Sequence, residues 1–271
     1  MLFFSGNHYK NALSVANNYI LNKRLPIINY AVESNNDVTR VLNEYEMLIE
    51  NINNNKNLSI ALKMSSFDFN INYVSYIIDL AKKYNIKVYI DAEQSVHNKK
   101  YQSMSKELMC KYNKNNYTLF KTYQMYRKDA LMDLHDDLII CQKNNIFFGA
   151  KIVRGAYWNS EKNNGQLFLK KTDTNKSYNQ AILDIYNYDL KHKNVILATH
   201  NETSCEIGQL LNQNKNIFSF AHLQGMKENY YNYVSNEHSI HVYIPYGPYN
   251  EMLPYLLRRL YENLEILYSI K

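Results

Sequence analysis

Proline and glycine are scarce, with 4 and 7 respectively in 271 residues. A chain so short of both lacks the material for long flexible linkers, collagen-like repeats or the dense turns of an all-β protein. Cysteine is nearly absent too. Cys110, Cys141 and Cys205 are odd in number, far apart and without a CxxC pair, which excludes a disulfide framework or zinc knuckle and fits idle thiols in a reducing compartment. No apolar run is long enough to cross a membrane, and MLFFSGNHYK has neither the apolar stretch of a signal peptide nor the arginines of a presequence. HExxH, GxSxG, the P-loop and GxGxxG are missing, so any nucleotide cofactor has to be held by something other than a dinucleotide fold. The net charge is +6, but the lysines are scattered through Asn-rich stretches such as NINNNKN (51–57) instead of forming a basic stripe, which argues against nucleic-acid binding.

What is present is a core and a rhythm. At 46% apolar the chain can bury a sizeable interior. Eight short β-branched and aromatic runs recur: LPIINYAVE (25–33), LSIALKMSS (58–66), IKVYIDAE (86–93), NYTLFKTYQ (116–124), IFFGAKIVRG (146–155), NVILATHN (194–201), IFSFAHLQG (217–225) and HVYIPYG (241–247). Between them lie helical periods such as VTRVLNEYEMLIENI (38–52) and INYVSYIIDLAKKY (71–84). Strand then helix, repeated eight times, predicts an α/β protein built as a (β/α)₈ TIM-like barrel, and such barrels carry their sites at the C-terminal ends of the strands. Those ends supply Lys63, then Asp91 with Glu93 and Gln94, Gln124, Lys151 with Arg154, His200 with Asn201, Gln224 and Tyr243. One polar strand end is ordinary solvent contact, whereas seven in succession describe a lined mouth. Lys63 and Asp91, on consecutive strands, are expected to pair there, with Lys151 and Arg154 adding positive charge for an anionic substrate or an electron-rich ring.

The stretch YLLRRLYEN (255–263) sets Arg258 beside Arg259 with Glu262 within a turn of both. Successive helical residues point about 100° apart, so the two guanidiniums do not share a face. They read either as a rim clamp that grips a carboxylate bidentately or as a surface helix with an ion pair.

IDAEQ (90–94), FKTYQMYRKDA (120–130), GAKIVRGAYW (149–158), ATHNE (198–202), AHLQGM (221–226) and YIPYGPYNEMLPYLLRRLYEN (243–263) together resemble the proline dehydrogenase family, in that family's order. The resemblance implies a short N-terminal helical segment (1–24) and a distorted, single-domain (β/α)₈ barrel (25–271) that binds FAD noncovalently. It also implies oxidation of L-proline to Δ1-pyrroline-5-carboxylate by hydride transfer to the flavin, with electrons passed to a quinone at a membrane surface. By the same resemblance Lys63, Asp91 and Lys151 are the catalytic set. Lys63, Ala156, Tyr157, Leu223, Tyr243, Arg258 and Arg259 contact substrate, with Glu262 bracing the arginines and Glu33 gating Arg258. Asp91, Gln124, Lys151, Val153, Arg154, Gly155, Tyr157, Thr174, His200 and Asn201 contact the flavin, and a tyrosine at Tyr243 favours proline over hydroxyproline. The segment NSEKNNGQLFLKKTDTNKSY (159–178) departs from the family pattern as an insertion, and the family's terminal helical arm and tail are expected to be shortened, which bears on membrane docking. The implied compartment is the matrix side of the mitochondrial inner membrane in a eukaryote, or the cytoplasm and inner-membrane face in a bacterium. A related imino-acid dehydrogenase and a catalytically idle barrel that binds proline or a partner are the alternatives.

Overall fold

Parallel strands buried on both faces are predominantly apolar along their length, and the eight apolar runs form such strands. The computed structural model describes residues 4–32, 37–52, 55–253 and 256. Its strands are β1 (Leu25–Tyr30), β2 (Ser59–Leu62), β3 (Lys87–Ile90), β4 (Leu119–Gln124), β5 (Phe148–Val153), β6 (Lys193–Ala198), β7 (Phe218–Leu223) and β8 (Ile240–Tyr246). They pair in parallel in chain order, and β8 closes on β1 in the register Ile27↔Tyr243. The result is the closed (β/α)₈ barrel that the strand–helix rhythm predicts.

Helices fill the crossovers. α1 (Tyr9–Leu21) precedes β1 and buries Tyr9, Ala12 and Ala16 in the same core as the barrel. α2 (Val38–Ile52) buries Val41, Tyr45, Leu48, Ile49 and Ile52 at helical spacing. α3 (Ile71–Lys83) starts at Asn70, whose side chain accepts the Asn72 N–H at 3.0 Å as an N-cap. α4 (Asn98–Tyr112), α5 (Ala130–Asn144), the single turn α6 (Trp158–Glu161), α7 (Lys171–Asn187), α8 (Glu202–Asn212) and α9 (Glu228–Val234) follow. Among the described residues no helix is long and apolar enough to cross a membrane.

Inside the barrel, Ile27, Ala61, Tyr89, Phe120, Ile196 and Ala221 form their own cluster, with Tyr89 stacked on Phe120 at 4.6 Å. This plug closes the interior and leaves the C-terminal mouth open for chemistry. On β4 the alternation turns Lys121 and Tyr123 outward, where the Lys121 ammonium meets Asp137 of α5 at 2.5 Å and the Tyr123 hydroxyl donates to the same carboxylate at 2.7 Å. Lys121 and Asp137 are both fully buried. Burial lowers the Lys121 pKa, opposed by Asp137. Removing one partner strands the other charge in the core, so Lys121→Met should cost about 3–5 kcal/mol in a denaturant midpoint. The paired Lys121→Met/Asp137→Leu replacement should recover most of that loss.

Candidate active site

Alternate strands of a closed barrel contribute side chains to one layer, so inward residues on β3 and β5 meet above the plug. Asp91, directly after β3, accepts a hydrogen bond from the Lys151 ammonium of β5 through one carboxylate oxygen and from the Tyr243 hydroxyl of β8 through the other. The Lys151 ammonium also lies 5.0 Å from the centre of the Tyr243 ring. Asp91 and Lys151 are buried, which costs solvation and is tolerated only because each charge has an aligned partner. Asp91 thus forms an ion pair with Lys151 across the mouth. Lys63, which follows β2, is buried at the N-terminal end of the 3-10 turn Met64–Phe67. There it lies near Glu93, whose pKa is raised by burial, with Ser65 and Lys63 pulling the other way.

These groups line a cavity of about 200 Å³ at the C-terminal mouth. Of the residues expected there, Lys63, Asp91, Gln124, Lys151, Val153, Arg154, Gly155, Ala156, Tyr157, His200, Leu223 and Tyr243 form its wall. Others stand outside it. Thr174 is buried in α7, Asn201 caps α8 by accepting the Ser204 N–H at 3.0 Å, and Gln224 accepts the Ser5 hydroxyl at 2.6 Å. Glu33, Arg258, Arg259 and Glu262 lie outside the described residues.

Arg154 shows how the mouth is held. Its guanidinium donates to Asn175 at 2.9 Å, to Ser204 at 3.0 Å and to the Thr199 hydroxyl, and its central carbon lies over the Tyr178 ring, 4.3 Å from the ring centre. Burial lowers its pKa. A planar fork bonded along its edge and placed over an aromatic ring is fixed in orientation, which a lysine could not reproduce. The next residue, Gly155, has φ +131° and lies so close to the Tyr126 ring that an added Cβ would stand 2.4 Å from it. Glycine is therefore the residue that lets the chain turn from β5 across the mouth.

Among the wall residues that escaped the sequence reasoning are Thr199 and His222. Thr199 is the hydroxyl that receives Arg154, and His222 stacks on Tyr231 at 4.6 Å with its Nδ1 3.0 Å from the Leu223 carbonyl oxygen. Burial lowers the His222 pKa, with Glu228 and the Leu223 carbonyl pulling the other way. Thr199 and His222 lie inside the motifs ATHNE and AHLQGM, but their side-chain partners, Arg154 after β5 and Tyr231 of α9, lie outside those motifs. Behind the wall, a small second cavity bordered by Thr122, Gln124, Arg127 and Asp133 adjoins the first. Burial, reinforced by Asp129, raises Asp133 from 3.8 to about 6. The folded protein then holds a proton that the unfolded chain has already released, so stability falls as pH rises from about 4 to about 6. Asp133→Asn should flatten that slope in urea midpoints measured across the window.

The sequence profile described as proline dehydrogenase matches residues 10–269. The chain is 35% identical over 212 residues to proline dehydrogenase 1, mitochondrial, of Dictyostelium discoideum, covering 71% of this chain and 37% of that protein. It is 30% identical over 218 residues to hydroxyproline dehydrogenase of Xenopus laevis, covering 73% and 46%. The crystal structure of proline utilization A (PutA) from Bdellovibrio bacteriovorus inactivated by N-propargylglycine superposes with a TM-score of 0.88 at 19% identity, over 97% of this chain and 32% of that one. The chain thus spans between a third and a half of the length of these proteins.

Proposed function

Because the chain belongs to the proline dehydrogenase family, we propose that the cavity oxidises L-proline to Δ1-pyrroline-5-carboxylate with noncovalently bound FAD as the electron acceptor. The observation that carries this reading is the Asp91–Lys151–Tyr243 cluster, buried at the mouth beside Lys63 and Arg154.

The donor set suits a flavin. Lys151, Arg154, Gln124 and His200 offer cationic and polar groups to an electron-rich ring and its phosphates, while Val153 supplies apolar contact. When bound, FAD supplies a two-electron acceptor for the hydride that leaves the carbon beside the proline nitrogen. The chain itself binds and orients. Lys151, held by Asp91, would offer a fixed positive charge to the electron-rich ring of a bound flavin. Tyr243 has its hydroxyl anchored on Asp91 and presents its ring, with Leu223, Ala156 and Tyr157, to the pyrrolidine. Lys63 offers a cation to the substrate carboxylate, and in this reading Arg258 and Arg259, carried over from the family motif, share that role. Proline that enters as the free amine needs no strong general base, because the nitrogen lone pair drives the hydride off. Proximity then supplies most of the acceleration.

Electrons pass on to a quinone in this reading, with the protein docked peripherally at a membrane. The Dictyostelium relative is named as mitochondrial, which supports a mitochondrial location for a eukaryotic source. A substrate panel separates the relatives. L-Proline should be turned over with an artificial acceptor and trans-4-hydroxy-L-proline at least tenfold less efficiently, the scale that one steric contact supports. A preference for hydroxyproline would favour the Xenopus-like activity instead.

A further inference from the structure

Beyond β5 the chain crosses the mouth through Gly155, Ala156 and Tyr157 and at once turns into α6, whose last residue is Glu161. A carboxylate at the end of a single exposed turn would ordinarily face water. Glu161 is instead 92% buried in effect, only 8% of it being exposed, and every contact it makes ties strand loops together. One oxygen accepts the Ser95 N–H at 2.5 Å. The other accepts the Ser95 hydroxyl at 2.8 Å and the Tyr126 hydroxyl at 3.1 Å. Ser95 stands four residues past Asp91, and Tyr126 two past Gln124. One carboxylate therefore pins the loop after β5 to the loops after β3 and β4, the strands that lead to Lys151, Asp91 and Gln124.

The tether is reinforced on both sides. Arg127 donates to the same Ser95 hydroxyl oxygen at 2.8 Å while its fork grips Asp129 at 2.8 and 3.0 Å. Farther along, the Phe168 N–H reaches the Tyr126 carbonyl at 2.8 Å, the Lys128 N–H reaches the Gln166 carbonyl at 3.0 Å, and the indole of Trp158 donates to the Phe168 carbonyl at 3.0 Å. Glu161 is coupled directly to the cavity wall, because the Tyr157 carbonyl accepts the N–H groups of Ser160 and Glu161 at 3.1 and 3.0 Å and the Ser160 hydroxyl at 2.9 Å. Moving Glu161 moves the turn that aims Tyr157.

We propose that Glu161 is a positioning residue for the substrate side of the cavity: it does not line the cavity itself, but by clamping Ser95 and Tyr126 it holds Ala156 and Tyr157 in the wall. This rests on the proline-oxidising reading of the same cavity. Buried carboxylates persist where several donors satisfy them, and Ser95 and Tyr126 supply those donors here. A positioned wall residue contributes through the placement of substrate, so its loss appears mainly in the Michaelis constant.

The experiment uses FAD-loaded holoenzyme and three variants. Glu161→Ala severs the tether. Glu161→Gln keeps an acceptor for the Ser95 N–H and an amide that bonds to a hydroxyl. Ser95→Ala removes one link and covers the case in which Glu161→Ala does not fold. KM for L-proline should rise roughly tenfold in Glu161→Ala with kcat changed less, roughly threefold in Ser95→Ala, and stay within about twofold of the parent in Glu161→Gln. The single tryptophan, Trp158, gives an independent readout, since acrylamide quenching of its fluorescence should increase in Glu161→Ala and return to the parent level in Glu161→Gln. Increased quenching with an unchanged KM would show a purely structural tether and overturn the proposal, as would parent-like values of both. A parent holoenzyme that does not turn over proline would overturn the functional reading and this proposal together, whereas an active parent with an unmoved Glu161→Ala KM overturns this proposal alone.

Discussion

Asp91→Asn lowers the rate of proline-dependent flavin reduction roughly 100-fold or more, because a single carboxylate fixes two working groups and displacements of the order of an ångström are worth about that much. One oxygen holds the Lys151 ammonium and the other the Tyr243 hydroxyl. The amide that replaces it can still accept from one of them but offers the other an N–H. Lys151 is then a buried cation without its counter-ion. Rapid-mixing reduction under anaerobic conditions, with flavin content measured on the same samples, separates this loss from loss of cofactor. Tyr243→Phe keeps the ring and removes one hydrogen bond, so its effect should be distinctly smaller.

Gly155→Ala should be the most damaging single methyl in the mouth. Its backbone has φ +131°, a conformation L side chains rarely adopt, and the new Cβ would lie 2.4 Å from Cδ1 and 2.5 Å from Cε1 of Tyr126. Backbone strain and overpacking together cost about 3 kcal/mol or more, a fall of about 5 °C in Tm for a chain of this size. Tyr126 has little room to yield, since its hydroxyl is held by Glu161 and its N–H donates to the Arg154 carbonyl at 2.8 Å. FAD uptake should fall with stability, because Arg154 and Lys151 lie on either side of the same turn's origin in β5. Tyr126→Ala in the same chain would remove the collision but not the strained φ, so recovery should be partial. Thermal melting and FAD titration check both statements.

The barrel was legible because buried parallel strands are predominantly apolar and separated by amphipathic helices. Each apolar run overlaps one strand, with ends offset by a few residues at most, as in IFFGAKIVRG (146–155) around Phe148–Val153. The mouth was legible in one dimension only. Strand-end polarity picked out Asp91, Lys151 and Tyr243, but the pairing of Asp91 with Lys151 depends on which strands share a layer, a property of barrel stagger that no local pattern records. Lys121 illustrates a different limit: a lysine within an apolar run gives no sign that its partner is an aspartate on the following helix. Thr199 and Glu161 likewise act through residues brought from other loops, so only assembled coordinates reveal them.

The central claim is that this cavity moves a hydride from L-proline to a bound flavin, and the most direct test is the visible absorption spectrum of the FAD-loaded protein under anaerobic conditions before and after L-proline is added. The account predicts flavin bands that bleach with L-proline and stay unchanged with D-proline. Flavin bands that persist with L-proline, or a protein that takes up no FAD, would contradict it.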